Sequence, residues 1–429
     1  MHSSVLRALL ACAPLLAAAS AAAQAPPERA APRELTLASA VDLALARNPS
    51  LAASLYELTA AQGRIVQADL RVNPELRLEL ENFAGTGSAA SLDALETTLS
   101  LSQVIELGGK RDLRRGVAEA GRDLAIAEQR ARELDVLGEV ARRFVDVAAA
   151  QERVRYARAG ATLASQTLDA ITRRVDAARS PVAEQSRARI ALTRATIEQR
   201  EAESDLVTAR HALAALWGDA EPGFGSAAAD LFRLEANEPF ETFFARLERT
   251  PEILAFASQA RLHDAELELA QAQARQNLAV EIGVRRLAAT DDWALVAGFS
   301  RPLGVRNRNE GAILEARARR AQTEAERGAA LNDARAALFG VYQAMTTARD
   351  RTAILRAEAV PQAETALRQV QAGYDVGRFS FLELVTAQQE LLELQQAAID
   401  SAASYHRFRT ELERLTNEPL AAELEAPTP

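Results

Sequence analysis

Few residues in this 429-residue chain have the type and spacing to do chemistry. The four histidines, His2, His211, His263 and His406, stand far apart, with no HExxH or CxxC beside them. That pattern holds no metal tightly. The single cysteine, Cys12, sits inside an apolar leader, so a chain cut after it keeps no thiolate ligand and no disulfide. Gly108-Gly109-Lys110-Arg111 invites a phosphate-loop reading, but the spacing GxxxxGK[ST] is absent. Two glycines there are better read as the exit of a strand into a helix. Lys110 and Arg111, with Arg114 and Arg115, would then be cations at that boundary. No nucleophile, acid/base pair or cofactor motif converges, so neither an enzyme nor a resident cofactor is expected. What remains is a phenol and two carboxylates beside sharp turns: Tyr374, Glu184 and Glu383. A phenol hydroxyl can donate to a carboxylate. A carboxylate just inside a helix N-terminus is favoured by the helix dipole.

Composition limits the elements that position them. The net charge of -9 gives no general basic surface for nucleic acid. Charged residues make up 25% and aromatics only 5%, a balance that favours long helices. Residues 1–23 read as a secretion signal: Arg7, an apolar run from Ala8 to Ala23 without an acid, and small residues before Gln24. Cleavage before Cys12, as in a lipoprotein, would leave an apolar core of only a few residues. No later segment is apolar for the roughly 18 residues a membrane helix requires, so any membrane crossing must use strands closed into a barrel.

The chain repeats itself. Asn48-Pro49-Ser50-Leu51 and Thr250-Pro251-Glu252-Ile253 each open a helical stretch. Val175 to Arg179 precedes Tyr374 to Arg378 by 199 positions, and Glu184 matches Glu383 at the same offset. The first repeat is assigned to 24–217 and the second to 239–416. A Gly-, Pro- and Asp-rich connector, 218–238, lies between them, and 417–429 form a tail. Each repeat begins with a helix, followed by two strands, at 75–82 and 95–105 or at 279–287 and 293–303. Leu76, Leu78 and Leu80 alternate with Glu75, Arg77 and Glu79, as Val280, Ile282 and Val284 alternate with their neighbours. Period two means one apolar and one polar face. A long helix follows, to about 175 or 374, with heptad-spaced apolar positions such as Leu137, Phe144 and Val154. Pro361 is expected to bend the second. A tight turn then leads into a return helix, 182–217 or 381–415. A helix of about 65 residues is about 100 Å long. The return helix and the next repeat's first helix, end to end, match it. Four strands are too few to close a barrel, so several chains must share one.

This order resembles the TolC family of outer-membrane efflux proteins, over nearly the whole chain. Gln103-Val104-Ile105-Glu106-Leu107-Gly108-Gly109-Lys110-Arg111 is similar to the strand-exit motif of the CzcC-like, metal-exporting branch. Tyr374 to Glu383 is similar to the family's periplasmic tip. The resemblance implies a mainly α fold with a small β part: long antiparallel hairpins forming an α-barrel in a homotrimer, and four strands per chain in a shared 12-stranded barrel. It implies an outer-membrane location in a Gram-negative-type cell, lipid around the barrel, and a long periplasmic extension. A periplasmic membrane-fusion adaptor and an inner-membrane RND pump would complete a tripartite efflux system for heavy-metal cations.

By the same resemblance Glu383 is a pore-facing acid, with Thr386 where the family often has a second one. Tyr374 and Glu184 belong to a tip lock, with Arg378 standing in for an arginine that here is Phe379. The turns Arg179-Ser180-Pro181 and Val376, Gly377, Phe379 and Ser380 are adaptor-docking tips. Rival readings are a drug-efflux or type I secretion duct within the family, and a periplasmic coiled-coil adaptor outside it. An adaptor would have one hairpin between β-domains, whereas this chain has two.

Overall fold

The computed structural model describes residues 34–87, 91–236 and 238–417. The secretion signal with Cys12, and all but the first residue of the tail, lie outside them.

The first repeat opens with strand β1 (Glu34–Leu35) and helices α1 (Leu37–Arg47) and α2 (Pro49–Ala68). Asn48 separates the two helices. Its Oδ1 accepts the amides of Ser50 and Leu51, and Pro49 supplies a first residue that has no amide to satisfy. Strands β2 (Glu75–Glu81) and β3 (Glu96–Ile105) lead into α3 (Lys110–Asp176), followed by α4 (Val182–Ala214). The connector carries β4 (Ser226–Ala227), which pairs in parallel with β1. The second repeat comprises α5 (Phe240–Arg246), α6 (Pro251–Gln273), β5 (Leu278–Leu287), β6 (Asp292–Ser300), α7 (Glu310–Ile354), α8 (Val360–Asp375) and α9 (Phe381–Thr416).

With 67 residues, α3 runs about 100 Å. It packs against α4 on the way back from the tip and against α2 and α6 nearer the sheet. The return path is thus shared by successive short helices. Between α7 and α8, residues Leu355–Ala359 form a π-helical turn directly before Pro361. Proline has no amide to bond to the turn before it, and widening that turn re-registers the ladder without ending the helix.

The densest core lies midway along α3, where Val140, Phe144 and Val147 meet Leu213 and Trp217 at the end of α4, Leu231 of the connector and Ile399 of α9. Strands β1 and β4 join this layer through Leu35 and Ala227. A second cluster joins Ile171, Ala188, Tyr374, Phe381 and Leu384 at the far tip.

The main sheet has the order β2-β3-β5-β6, antiparallel throughout, with β2 and β6 as unpaired edges. Register aligns Leu78, Leu99, Val284 and Leu295 in one row and Leu76, Leu101, Ile282 and Ala297 in the next. Those leucines, valine and isoleucine are exposed, Leu295 at 84%. The other face carries Glu79, Thr98 and Arg285 in one row and Ser102, Glu281 and Gly298 in another. A sheet with its apolar face bare and its polar face lined by charge is inverted relative to a water-soluble one, and suits lipid outside and water inside.

Candidate functional site

Three places hold the residues singled out in the sequence: the tip, the strand-to-helix junction and the polar face of the sheet.

At the tip the two hairpin turns share one stereochemistry. The chain leaves α3 through Ala178 at φ 56° and leaves α8 through Gly377 at φ 78°. The amides of Arg179 and Arg378 then return to the carbonyls of Arg174 and Gly373. Gly377 takes this left-handed conformation freely, whereas Ala178 holds it against its Cβ. Gly373 is needed for another reason: a Cβ there would lie 2.1 Å from the ring of Phe379, which folds back over it.

Tyr374 is buried, and its Oη donates to Glu184 Oε2 at 3.2 Å. Burial pushes its phenol pKa up, so it remains a donor. The bond joins α8 to the start of α4, within one chain. Arg378 does not complete it: its side chain is exposed and has no hydrogen bond or ion pair among the described residues. Within the chain, the arginine that reaches Tyr374 is Arg174 of α3. Its Nη1 donates to the carbonyls of Tyr374 (2.7 Å) and Asp375 (3.2 Å), and its Nε to Ser180 Oγ (3.2 Å). Its guanidinium lies 4.5 Å from the centre of the Tyr374 ring. The sequence signal was present: Arg174 directly precedes Val175, the repeat counterpart of Tyr374.

Glu383 is exposed, and its carboxylate curls back to accept the amide of Ser380 at 2.7 Å. Ser380 Oγ accepts the amide of Glu383 in return, a capping box at the start of α9. The Ser380 amide and hydroxyl hold the Glu383 carboxyl below the usual carboxylate range. Thr386, one turn on, is exposed, as are Arg179, Pro181, Val376 and Phe379 at the turn ends, while Ser180 is half-buried.

At the strand-to-helix junction Gly108 and Gly109 have φ of 87° and 70°. Lys110 follows them as the first residue of α3. It is buried, with Nζ donating to the carbonyl of Arg275 (2.5 Å) and to Asn277 Oδ1 (2.6 Å) in the α6–β5 connection. The ammonium thus ties the start of α3 to the second repeat, and its burial lowers its pKa. Arg114 binds both oxygens of Glu106, whose carboxyl is held low by that contact, and Arg111 lies 3.7 Å from Asp69.

On the polar face of the sheet, Arg285 joins three partners on two neighbouring strands: Glu81 at 3.0 Å, Glu96 at 2.8 Å and Thr98 Oγ1 at 2.9 Å. Ser100 Oγ donates to Glu281 beside it. Sequence reading missed this cluster, because only register brings the four residues together. Among the described residues no three His, Cys, Asp or Glu side chains converge on a metal-sized site.

Residues 40–219 match the family described as outer membrane efflux protein. Cobalt-zinc-cadmium resistance protein CzcC of Cupriavidus metallidurans is 31% identical over 396 residues, covering 91% of each chain. Nickel-cobalt-cadmium resistance protein NccC of Alcaligenes xylosoxydans xylosoxydans is 25% identical over 62% of this chain and 60% of its own length. Among solved structures, CusC superposes with a TM-score of 0.74 at 16% identity, over 93% of this chain and 96% of that one.

Proposed function

The chain belongs to the outer membrane efflux protein family, and from that premise we propose that it is the outer-membrane channel of a tripartite system exporting heavy-metal cations. The observation that carries the metal assignment is the near full-length similarity to a cobalt-zinc-cadmium resistance protein. The physics of the fold supports a duct. A four-stranded sheet with two open edges and a lipid-compatible face needs further copies to close. Three copies give twelve strands, and the long helices below them give a tunnel into the periplasm. No chemical step is assigned to the chain. An inner-membrane RND pump supplies the energy, and a periplasmic adaptor meets the exposed turns at Arg179 to Pro181 and Val376 to Ser380.

In this reading the carboxylates act by field and not by coordination. Glu383 remains ionised at neutral pH and three copies surround the axis at the tip, attracting cations. A duct must pass ions, so each interaction must be weak enough to release them. Tyr374, Glu184 and Arg174 hold the two turns of one copy together.

The test is a susceptibility panel on a deletion strain and its complemented control, with zinc, cobalt, cadmium, nickel, copper and silver beside dyes, detergents and antibiotics. Metal sensitivity alone, reversed by complementation, supports the assignment. Drug sensitivity with metals unaffected keeps the duct and removes the metals.

A further inference from the structure

The two strand-to-helix exits should be alike, yet their charges are handled differently. In the first repeat, Arg111 has Asp69 and Arg114 has Glu106. In the second, Arg301, Arg306 and Arg308 follow β6 within eight residues, and Arg275 faces them from the end of α6. All four are exposed, and among the described residues none has an ion pair. Between them lies Leu303 at 82% exposure, followed by Val305 at 74%. The outward residues of β6 are Trp293, Leu295, Ala297 and Phe299, so Leu303 extends the bare apolar face of the sheet.

The place is also shaped. A notch of about 460 Å³ is lined by Gly108, Arg275, Gln276, Arg301 and Leu303, among others. Gly108 has no side chain there because Arg275 crosses it: a Cβ would meet Arg275 Cδ at 2.8 Å. Gly304 likewise leaves room for the Gln276 amide, with Nε2 at 3.4 Å from a Cβ position. Two guanidinium groups and an amide donor thus border one notch, with exposed apolar side chains at its rim.

This chemistry fits a phosphodiester joined to acyl chains. Guanidinium matches phosphate bidentately and is more weakly hydrated than ammonium, while the apolar rim matches the lipid beyond the headgroup. Resting on the reading of the sheet as membrane-embedded, we propose that the exit of β6 is a phospholipid site on the periplasmic leaflet. Arg275 and Arg301 take the headgroup phosphate, Arg306 and Arg308 add positive potential, and Leu303 and Val305 enter the acyl layer. The site would fix the depth of the barrel at the edge where the next copy joins.

The experiment is native mass spectrometry of the detergent-purified full chain, titrated with dioleoyl phosphatidylglycerol and, as the phosphate-free control, dioleoylglycerol. The expected result is retained phosphatidylglycerol, no retained dioleoylglycerol, and at least about tenfold weaker retention in Arg275→Gln/Arg301→Gln. Arg301→Lys should keep most of the binding. Equal retention by the double variant, or equal retention of both lipids, overturns the proposal. So does a double variant that loses oligomer mass, since the arginines would then serve the neighbouring copy. A chain that inserts into no bilayer refutes the membrane reading beneath the proposal, which separates the two failures.

Discussion

Replacing Arg174 with alanine should loosen the tip more than any change at the sequence-singled residues around it. The side chain makes two charge-assisted bonds to carbonyls of α8 and one to Ser180, and its guanidinium lies over Tyr374. A hydrogen bond from a charged donor contributes about 1.5 kcal/mol at the low end, suited to a half-buried group, and an exposed cation–π contact about 0.5 kcal/mol. The three bonds and the contact sum to about 5 kcal/mol per copy, several thousandfold in the equilibrium between docked and separated turns. Tyr374→Phe removes only the bond to Glu184 and should cost about 1 kcal/mol, about fivefold. Arg378→Ala removes no partner and should do nothing. Single-channel recording in planar bilayers reads this order as open occupancy: Arg174→Ala above Tyr374→Phe above Arg378→Ala, the last equal to wild type. A large effect of Arg378→Ala beside a silent Arg174→Ala would refute the assignment.

Three further outcomes follow from the geometry. Glu383→Gln keeps an acceptor for the Ser380 amide but removes the charge, so it should lower cation over anion permeability while leaving the tip folded; an unchanged permeability ratio removes the pore role. Because the capping bond lowers the folded-state pKa of Glu383, its stabilising effect is present above the unfolded value of 4.5 and lost only as pH falls through the lower folded one. His406 is buried against the carbonyl of Leu231 with its pKa lowered to about 4 by desolvation, with Arg409 also lowering it and Asp230 opposing. Between pH 6.5 and about 4 the unfolded chain takes the proton and the folded one does not, so stability should fall by about 3 kcal/mol. His406→Gln should flatten that fall in detergent melts recorded against pH. Leu295→Arg, on the bare face of β6, should cost about 2–4 kcal/mol if it lies at mid-bilayer and deplete the chain from outer-membrane fractions, whereas Leu295→Phe should not.

Period and punctuation made the main elements legible. Alternation in Leu76 to Leu80 and Val280 to Val284 gives the strands, and the proline-free run after Gly109 gives α3. These patterns are local consequences of side-chain direction. What stayed hidden depends on contacts across hundreds of residues. Nothing near Lys110 says that its ammonium is buried against Asn277. That Arg174 reaches across to the carbonyls of Tyr374 and Asp375 depends on the path of the turn. At Pro361 the sequence correctly marks an interrupted ladder, but the π turn before it absorbs the mismatch by packing that no local pattern reports. The CzcC-like strand-exit motif pointed to the metal branch, and the similarity to metal-resistance proteins agrees with it.

The differences between the repeats bear on how a ring of copies would move. Lys110 and Asn309 hold corresponding places at the starts of α3 and α7. Lys110 reaches the other repeat through Arg275 and Asn277, whereas Asn309 donates to Ala270, inside its own repeat. The tip shows the same division. Arg174 bridges from the first hairpin to the second, and its counterpart in the second repeat is Gly373, which has no side chain to bridge onward. At both ends of the long helices, then, buried or charge-assisted bonds join the two repeats of one chain. In the proposed ring each chain would then move as one unit, its two repeats tied by the buried ammonium at one end and by the guanidinium at the other.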